Sequence, residues 1–77
     1  MSFKEFVYRI TKSDSVLSFP DKHGNVYVAV WNKQRFKGII EIQTTSGTIF
    51  TFPTLLTLYE NCISLCPNTE LWVFSTP

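Results

Sequence analysis

One segment near the middle of the chain, VYVAVW from residue 26 to residue 31, restricts the fold more than any other. Successive side chains of a β-strand point to opposite faces of its sheet. Here three valines form one alternating set, and Tyr27, Ala29 and Trp31 form the other. Because both sets are apolar, the segment predicts a strand that is central in its sheet or packed on both faces.

The composition of the whole chain is typical of a small, mostly β domain. Val, Ile, Thr, Phe, Trp and Tyr account for 33 of the 77 residues, and these types fit the pleated surface of a sheet. Ala29 is the only alanine, so the strongest helix former is nearly absent. A chain of 77 residues predicts a single domain, and a hydrophobic content of 44% excludes intrinsic disorder.

Turn-forming residues divide the chain into pieces of strand length. The predicted strands are 16–19, 25–32, 37–44, 48–52 and 71–75. Pro20 closes the first of these, and since proline cannot donate to a ladder we expect an edge strand there. Ser46-Gly47 predicts a hairpin. The apolar segment 71–75 predicts a strand that pairs centrally.

The N-terminal segment 3–12 carries two competing patterns. Ser2 followed by Glu5 resembles a helix capping box, and the apolar residues up to Ile10 recur at helical spacing. Residues 6–11, however, are rich in β-formers. We expect a sixth strand here, with a helix as the alternative.

The segment 54–65 predicts one amphipathic helix. Thr54 is a favourable N-cap residue, and Pro67 ends the pattern. The apolar positions with helical spacing are Leu55, Leu58, Tyr59, Cys62 and Leu65. The predicted fold is therefore α+β, predominantly antiparallel, with five to six short strands in a curled sheet or a small, partly open barrel.

The motifs do not indicate an enzyme. His23 lies in a predicted turn beside Gly24, and no serine near it has the spacing of a nucleophile elbow. Cys62 and Cys66 are four residues apart, without the further ligands that a metal site needs. We expect a small buried residue and a helix-end thiol at these two positions, and no catalytic residue, metal or cofactor.

The segment 31–37 combines basic and aromatic residues and is the first candidate binding site. Its members are Trp31, Lys33, Arg35, Phe36 and Lys37. In extended backbone the three bases would share one face with Trp31. Basic groups neutralise phosphates and aromatic rings stack on bases, so this segment is also the candidate for nucleic-acid binding.

The polar side of the predicted helix is the second candidate. Thr57 and Asn61 lie on a side where Glu60 is the only charged residue. Interface cores are depleted of charge, so this side favours a protein partner or self-association.

Charge is distributed unevenly along the chain. Residues 1–37 hold all seven bases and three acids, whereas residues 38–77 hold three acids and no base, which together give a net charge of +1. The charge-poor second half favours a protein-binding function over an active site. We expect a non-enzymatic protein–protein interaction module, a small regulator or inhibitor of a larger protein, that forms a homodimer. Nucleic-acid binding through residues 31–37 is the alternative.

The codon usage implied by the composition and the absence of a visible targeting segment bear on origin and location. Residue types with A/T-rich codons outnumber those with G/C-rich codons by 26 to 10, which suits a low-GC genome such as that of many bacteriophages. We therefore expect a phage- or mobile-element-like protein. Since neither a secretory signal nor a membrane span is visible, the expected location is the cytoplasm, that of the host if the protein is viral.

Overall fold

Strand β2 (Val26–Asn32) lies at the centre of a five-stranded antiparallel sheet, as its two apolar faces predict. The computed structural model describes residues 1–45 and 47–76. The other elements are helix α1 (Phe3–Ile10), strands β1 (Val16–Pro20), β3 (Lys37–Ile42) and β4 (Ile49–Phe52), helix α2 (Leu55–Leu65), a 3-10 turn (Thr69–Leu71) and strand β5 (Val73–Ser75). The α+β prediction is confirmed, with an open sheet rather than a barrel.

The strand order, β4-β3-β2-β1-β5, corrects two predictions. β1 is internal and β5 is an edge strand. Asp21 N donates to Asn25 O (2.9 Å), so the adjacent Pro20–Val26 pair is not hydrogen-bonded and Pro20 N points away from β2. On that side β5 pairs only with residues 16–18, so the missing proline donor leaves no gap in the ladder.

The N-terminal segment forms a helix, so the prediction of a strand there is wrong and its alternative is confirmed. Ser2 Oγ accepts a hydrogen bond from Glu5 N (3.1 Å), which caps the first turn. Phe6 and Ile10, four residues apart, are both buried, so one helical face enters the core. This burial outweighs the weak β propensity of residues 6–11.

Helix α2 follows its prediction closely. Thr54 and Thr57 form a reciprocal capping box, in which each side chain accepts from the other residue's backbone N–H. Leu58 and Cys62 are fully buried. Strands β3 and β4, which end and begin on either side of Ser46-Gly47, pair antiparallel. Ser46 itself, and with it part of the predicted hairpin turn, lies outside the described residues.

The core lies on one face of the sheet. Both helices contribute their buried residues to a single cluster that contains the alternate strand residues Leu17, Phe19, Tyr27, Ala29 and Ile40. Trp72, which precedes β5, is 7% exposed and contacts rings from three elements. Its ring centroid lies 6.0 Å from Phe6, 5.8 Å from Phe19 and 6.3 Å from Tyr59. The indole N–H donates to Cys66 O (3.0 Å).

Gly38 allows α2 to approach β3. A Cβ placed on Gly38 would lie 2.8 Å from Leu58 Cδ2 and 3.0 Å from Leu58 Cβ. Since the Cβ of Leu58 cannot move without the helix backbone, a larger side chain at position 38 must displace α2. The helix therefore rests on the sheet at the one strand position without a side chain.

We expect Gly38→Ala to lower the free energy of unfolding by about 1–3 kcal/mol, because overpacking forces strain on α2. Urea denaturation measures this. Leu58→Ala alone is expected to cost about 2–5 kcal/mol, through the cavity it leaves. The double variant should be more stable than the sum of the two effects predicts, since each substitution relieves the other. Strict additivity would contradict the close approach.

Candidate protein-binding surface

The second face of the sheet carries the other alternating set of strand side chains. Register places Ser18, Val28, Glu41 and Ile49 in one row across four strands, with Val73 beside Ser18. Within residues 1–45 and 47–76, no helix packs on this side. We call this surface the open face. Its members are Val16, Ser18, Pro20, Val26, Val28, Val30, Asn32, Lys37, Ile39, Glu41, Ile49, Thr51, Val73 and Ser75.

The open face is apolar and accessible. Seven of its fourteen residues are valine or isoleucine, and the two of these on the edge strands, Ile49 and Val73, are 55% and 56% exposed. The central members are half-buried by their neighbours in the sheet. A contiguous apolar patch on a small protein marks an interaction site, whereas single exposed apolar residues do not. The charged members are one base, Lys37, and one acid, Glu41.

The candidate residues of segment 31–37 lie at one end of the sheet but do not share a face. Residues 33–36 form a turn between β2 and β3, so the extended backbone assumed for them is wrong. Trp31 is in phase with the helix-covered side and packs against the core. Lys37 pairs with Asn32 and belongs to the open face. Lys33, Arg35 and Phe36 are exposed at the tip.

The tip is shaped by Asn32, whose Oδ1 accepts hydrogen bonds from Gln34 N (3.0 Å) and Arg35 N (3.1 Å). This arrangement closes the turn and leaves Phe36 with φ +52°, in the left-handed region that favours glycine. Phe36 is also 74% exposed. A bulky residue that is both strained and exposed is a candidate for a binding role, because neither feature benefits the fold.

A cleft of about 640 Å³ joins this tip to the open face. Val16, Val30 and Ile39 line it from the open face, and Lys12 and Lys33 line it from the two turns beside it. The cleft therefore has an apolar part and a polar part, which carries the bases Lys12 and Lys33 and the acid Asp14.

The two candidate residues on α2, Thr57 and Asn61, form hydrogen bonds within the helix and its N-cap. Thr57 Oγ1 bonds within the capping box, and Asn61 Nδ2 donates to Thr57 O (2.8 Å). Asn61 also lines a smaller groove of about 280 Å³ between α2 and β4, which includes Phe50 and Phe52. Their local bonds account for both residues, so we give α2 no part in the proposed surface.

His23 and Asp21 belong to a structural turn. Asp21 Oδ1 accepts from the backbone N–H of His23 (2.8 Å) and Asn25 (2.9 Å), and its Oδ2 accepts from Asn25 Nδ2 and Tyr27 Oη, both at 2.9 Å. These bonds, led by that of the Asn25 side chain, lower the pKa of Asp21 to about 2. Burial and the Asp21 carboxylate raise the pKa of Tyr27. The imidazole of His23 takes no part in these bonds.

Both cysteines are buried and reduced. Cys62 is 0% exposed and Cys66 is 4% exposed. Burial raises the pKa of the Cys62 thiol to about 12, so this group is unreactive in the folded protein. Among the residues that the structure covers, no group of three or more His, Cys, Asp or Glu is placed to hold a metal ion. None of the helices described has the length and apolarity to span a bilayer.

Comparisons with protein-family models, with curated proteins and with solved structures found no match to this chain. Sequence reasoning did not single out the open face as a site, although its signal was present: the valines of β2 and Ile39 and Glu41 of β3 alternate with the core residues. Recognising this face as uncovered requires the position of α1. The prediction of a strand for residues 3–12 did not say which side of the sheet that segment would cover.

The strain at Phe36 gives a stability prediction. An L residue in the left-handed region costs about 1–2 kcal/mol, and glycine in turn costs about 0.5–1 kcal/mol in chain entropy. We expect Phe36→Gly to raise the free energy of unfolding by up to about 1 kcal/mol, and Phe36→Ala to leave it nearly unchanged. Thermal or urea denaturation measures both. A clear loss of stability in both variants would show that the ring supports the fold.

The turn at Asp21 gives a pH prediction. Its pKa in the folded protein, about 2, lies below the ordinary value of 3.8. The carboxylate therefore stabilises the fold fully above the ordinary value, and this contribution is lost as the pH falls from there towards 2. We expect Asp21→Asn to flatten the pH dependence of stability in this range, and Tyr27→Phe to flatten it in part. An NMR titration that placed the pKa of Asp21 at its ordinary value would contradict this.

Proposed function

We propose that the protein is a non-enzymatic protein-interaction module, a small regulator or inhibitor that acts by binding. The observation that carries this proposal is the open face, a largely apolar face of the sheet on the side opposite both helices. Burying apolar area stabilises a complex by roughly 25 cal/mol per Å² before the costs of association. Contact with a protein partner therefore lowers the free energy of such a surface more than contact with water does.

The hairpin tip of residues 33–36 is the second contact surface in this proposal. Phe36 projects as an exposed ring between Arg35 and Lys37, with Lys33 nearby in the turn. Aromatic side chains and arginine are enriched at the energetic centres of protein interfaces. A partner with an apolar socket flanked by carboxylates would match this tip. We assign the recognition of a larger protein to it.

Two titratable groups, Asp21 and Cys62, support a binding function over catalysis. Asp21 is fully engaged by four hydrogen bonds in its turn. Cys62 is buried and protonated at neutral pH. General acid–base or nucleophilic catalysis requires an accessible group with a matched pKa, and neither residue provides one.

Nucleic-acid binding is the second candidate, and one observation favours it. Trp31, Lys12 and Lys33 line the same cleft of about 640 Å³. Single-stranded nucleic acid is held by such combinations of bases and aromatic rings. The net charge of +1, however, offers little attraction to phosphates.

Capture from a native cell extract tests the proposed function. The tagged wild-type chain is expected to retain a discrete protein other than copies of itself. Phe36→Gly removes the tip ring and should reduce this retention at least about tenfold if the tip contacts the partner. Ile49→Lys adds charge to the open face and should do the same if the open face contacts it. Leu56→Lys is the matched control, because Leu56 is an apolar residue of α2 that is 50% exposed.

Two results would contradict the proposal. The first is that wild type and both variants retain the same proteins as the Leu56→Lys control. The second is that nucleic acid is recovered instead and that a labelled single-stranded oligonucleotide binds at about 50 mM salt with an affinity that falls steeply as salt rises. With three or four bases engaged, the slope of log affinity against log salt would be about −2 to −3.

A further inference from the structure

We propose that the open face is occupied by a second copy of this chain, in a face-to-face dimer in which Lys37 of each copy pairs with Glu41 of the other. This inference rests on the proposed function, since it names the partner of the same surface. Two sheets packed in this way form a sandwich about 10 Å thick. The side chains of both inner faces then lie in one dry core.

The charges of the open face are complementary to the same face of another copy. The face carries one base, Lys37, and one acid, Glu41, both on β3 and four residues apart. A twofold contact brings identical surfaces together, so a face with charges of one sign would repel itself. This face is neutral as a whole, and each of its charges has an opposite charge to meet.

The same charges select the orientation of the two copies. The bases Lys12, Lys33, Arg35 and Lys37 lie near one end of β2 and β3, whereas Glu41 lies towards the other. If the two β3 strands ran parallel, the basic ends would meet and repel. A twofold axis that lies between the two sheets, perpendicular to the strands and next to Ile39, makes the two β3 strands antiparallel. It sets Lys37 of each copy opposite Glu41 of the other.

The residues near this axis are suited to self-contact. Val30, Ile39 and Thr51 form one row by register, and Val30 and Ile39 also line the cleft that opens on this face. Under the twofold axis each of these side chains meets its own counterpart. All three are β-branched, and such side chains form flat, closely packing sheet surfaces.

The size of the face sets the strength of the dimer. Five strands about 4.8 Å apart and about five residues long span roughly 24 by 17 Å, or roughly 400 Å² for each copy. The pair buries roughly twice this, below the roughly 1,200 Å² of standard interfaces, so the dimer is weak and concentration-dependent. Its two basic hairpin tips lie at opposite ends, where both remain available to the larger partner.

Sedimentation equilibrium from roughly 10 µM to 1 mM tests this inference, a range in which a weak interface is populated. The wild type is expected to change from monomer to dimer. Lys37→Glu and Glu41→Lys, each alone, should weaken association at least about tenfold, because each places like charges opposite one another twice. An equimolar mixture of the two variants, and the double variant K37E/E41K, should recover it.

Matched controls make the same changes of charge on the helix-covered side. Lys4→Glu on α1 and Glu60→Lys on α2 are both exposed substitutions and should leave association unchanged. The mixture also controls for folding, since an unfolded variant could not restore association in its partner.

Three results would overturn the inference. A monomer at every concentration would show that no second copy binds, and the capture experiment would then decide separately whether the face binds another protein. A dimer insensitive to both single reversals would use another surface. A dimer weakened by the reversals but not recovered in the mixture would contradict the antiparallel arrangement.

Discussion

The contacts of Trp72 hold the structure together. Its ring meets Phe6 of α1, Phe19 of β1 and Tyr59 of α2, and its N–H donates to the carbonyl that follows α2. The residue itself immediately precedes β5. One side chain therefore joins both helices, the sheet and the last strand. Aromatic pairs of this kind contribute about 0.5–1.5 kcal/mol each beyond their buried area.

Because this cluster draws both helices to one side, the chain has a covered face and an open face. This domain of 77 residues has two helices, and the contacts among Phe6, Trp72 and Tyr59 hold both over the same face of the sheet. The other set keeps its apolar composition without a cover in the described part of the chain. The proposed function follows from this asymmetry more than from any single residue.

The sequence predicted those elements whose local pattern agrees with their tertiary environment. In β2 and α2 the periodicity, the caps and the burial coincide, and both predictions are confirmed. The predictions failed where a distant contact decided the outcome. α1 is a helix because Phe6 and Ile10 reach the core, and β1 is internal because β5 pairs with residues 16–18 and stops before Pro20. The helical spacing of Phe6 and Ile10 was visible in the sequence, but it competed with β-forming residues in the same segment. The pairing of β5 is visible in no local pattern.

The candidate site shows the same division. Sequence reasoning found the basic and aromatic residues at positions 31–37, but it assumed an extended backbone. The cap formed by Asn32 and the positive φ of Phe36 turn the chain there, so Trp31 and Lys37 lie on opposite faces of the sheet. The open face could be recognised only after the helices were placed, since its valines are as suitable for a core as for a surface.

The accessibility of methyl groups, measured by NMR with a soluble paramagnetic agent, shows whether the open face is uncovered in the monomer and covered by a second copy. In dilute protein, the methyl groups of Val28, Val30 and Ile39 should relax much faster with the agent than those of Leu17, Ile40 and Leu58. As the protein concentration rises, the three open-face residues should become protected while the core residues do not change. Open-face methyl groups as protected as the core in dilute solution would contradict an uncovered face, and methyl groups equally accessible at every concentration would contradict its occupation by a second copy.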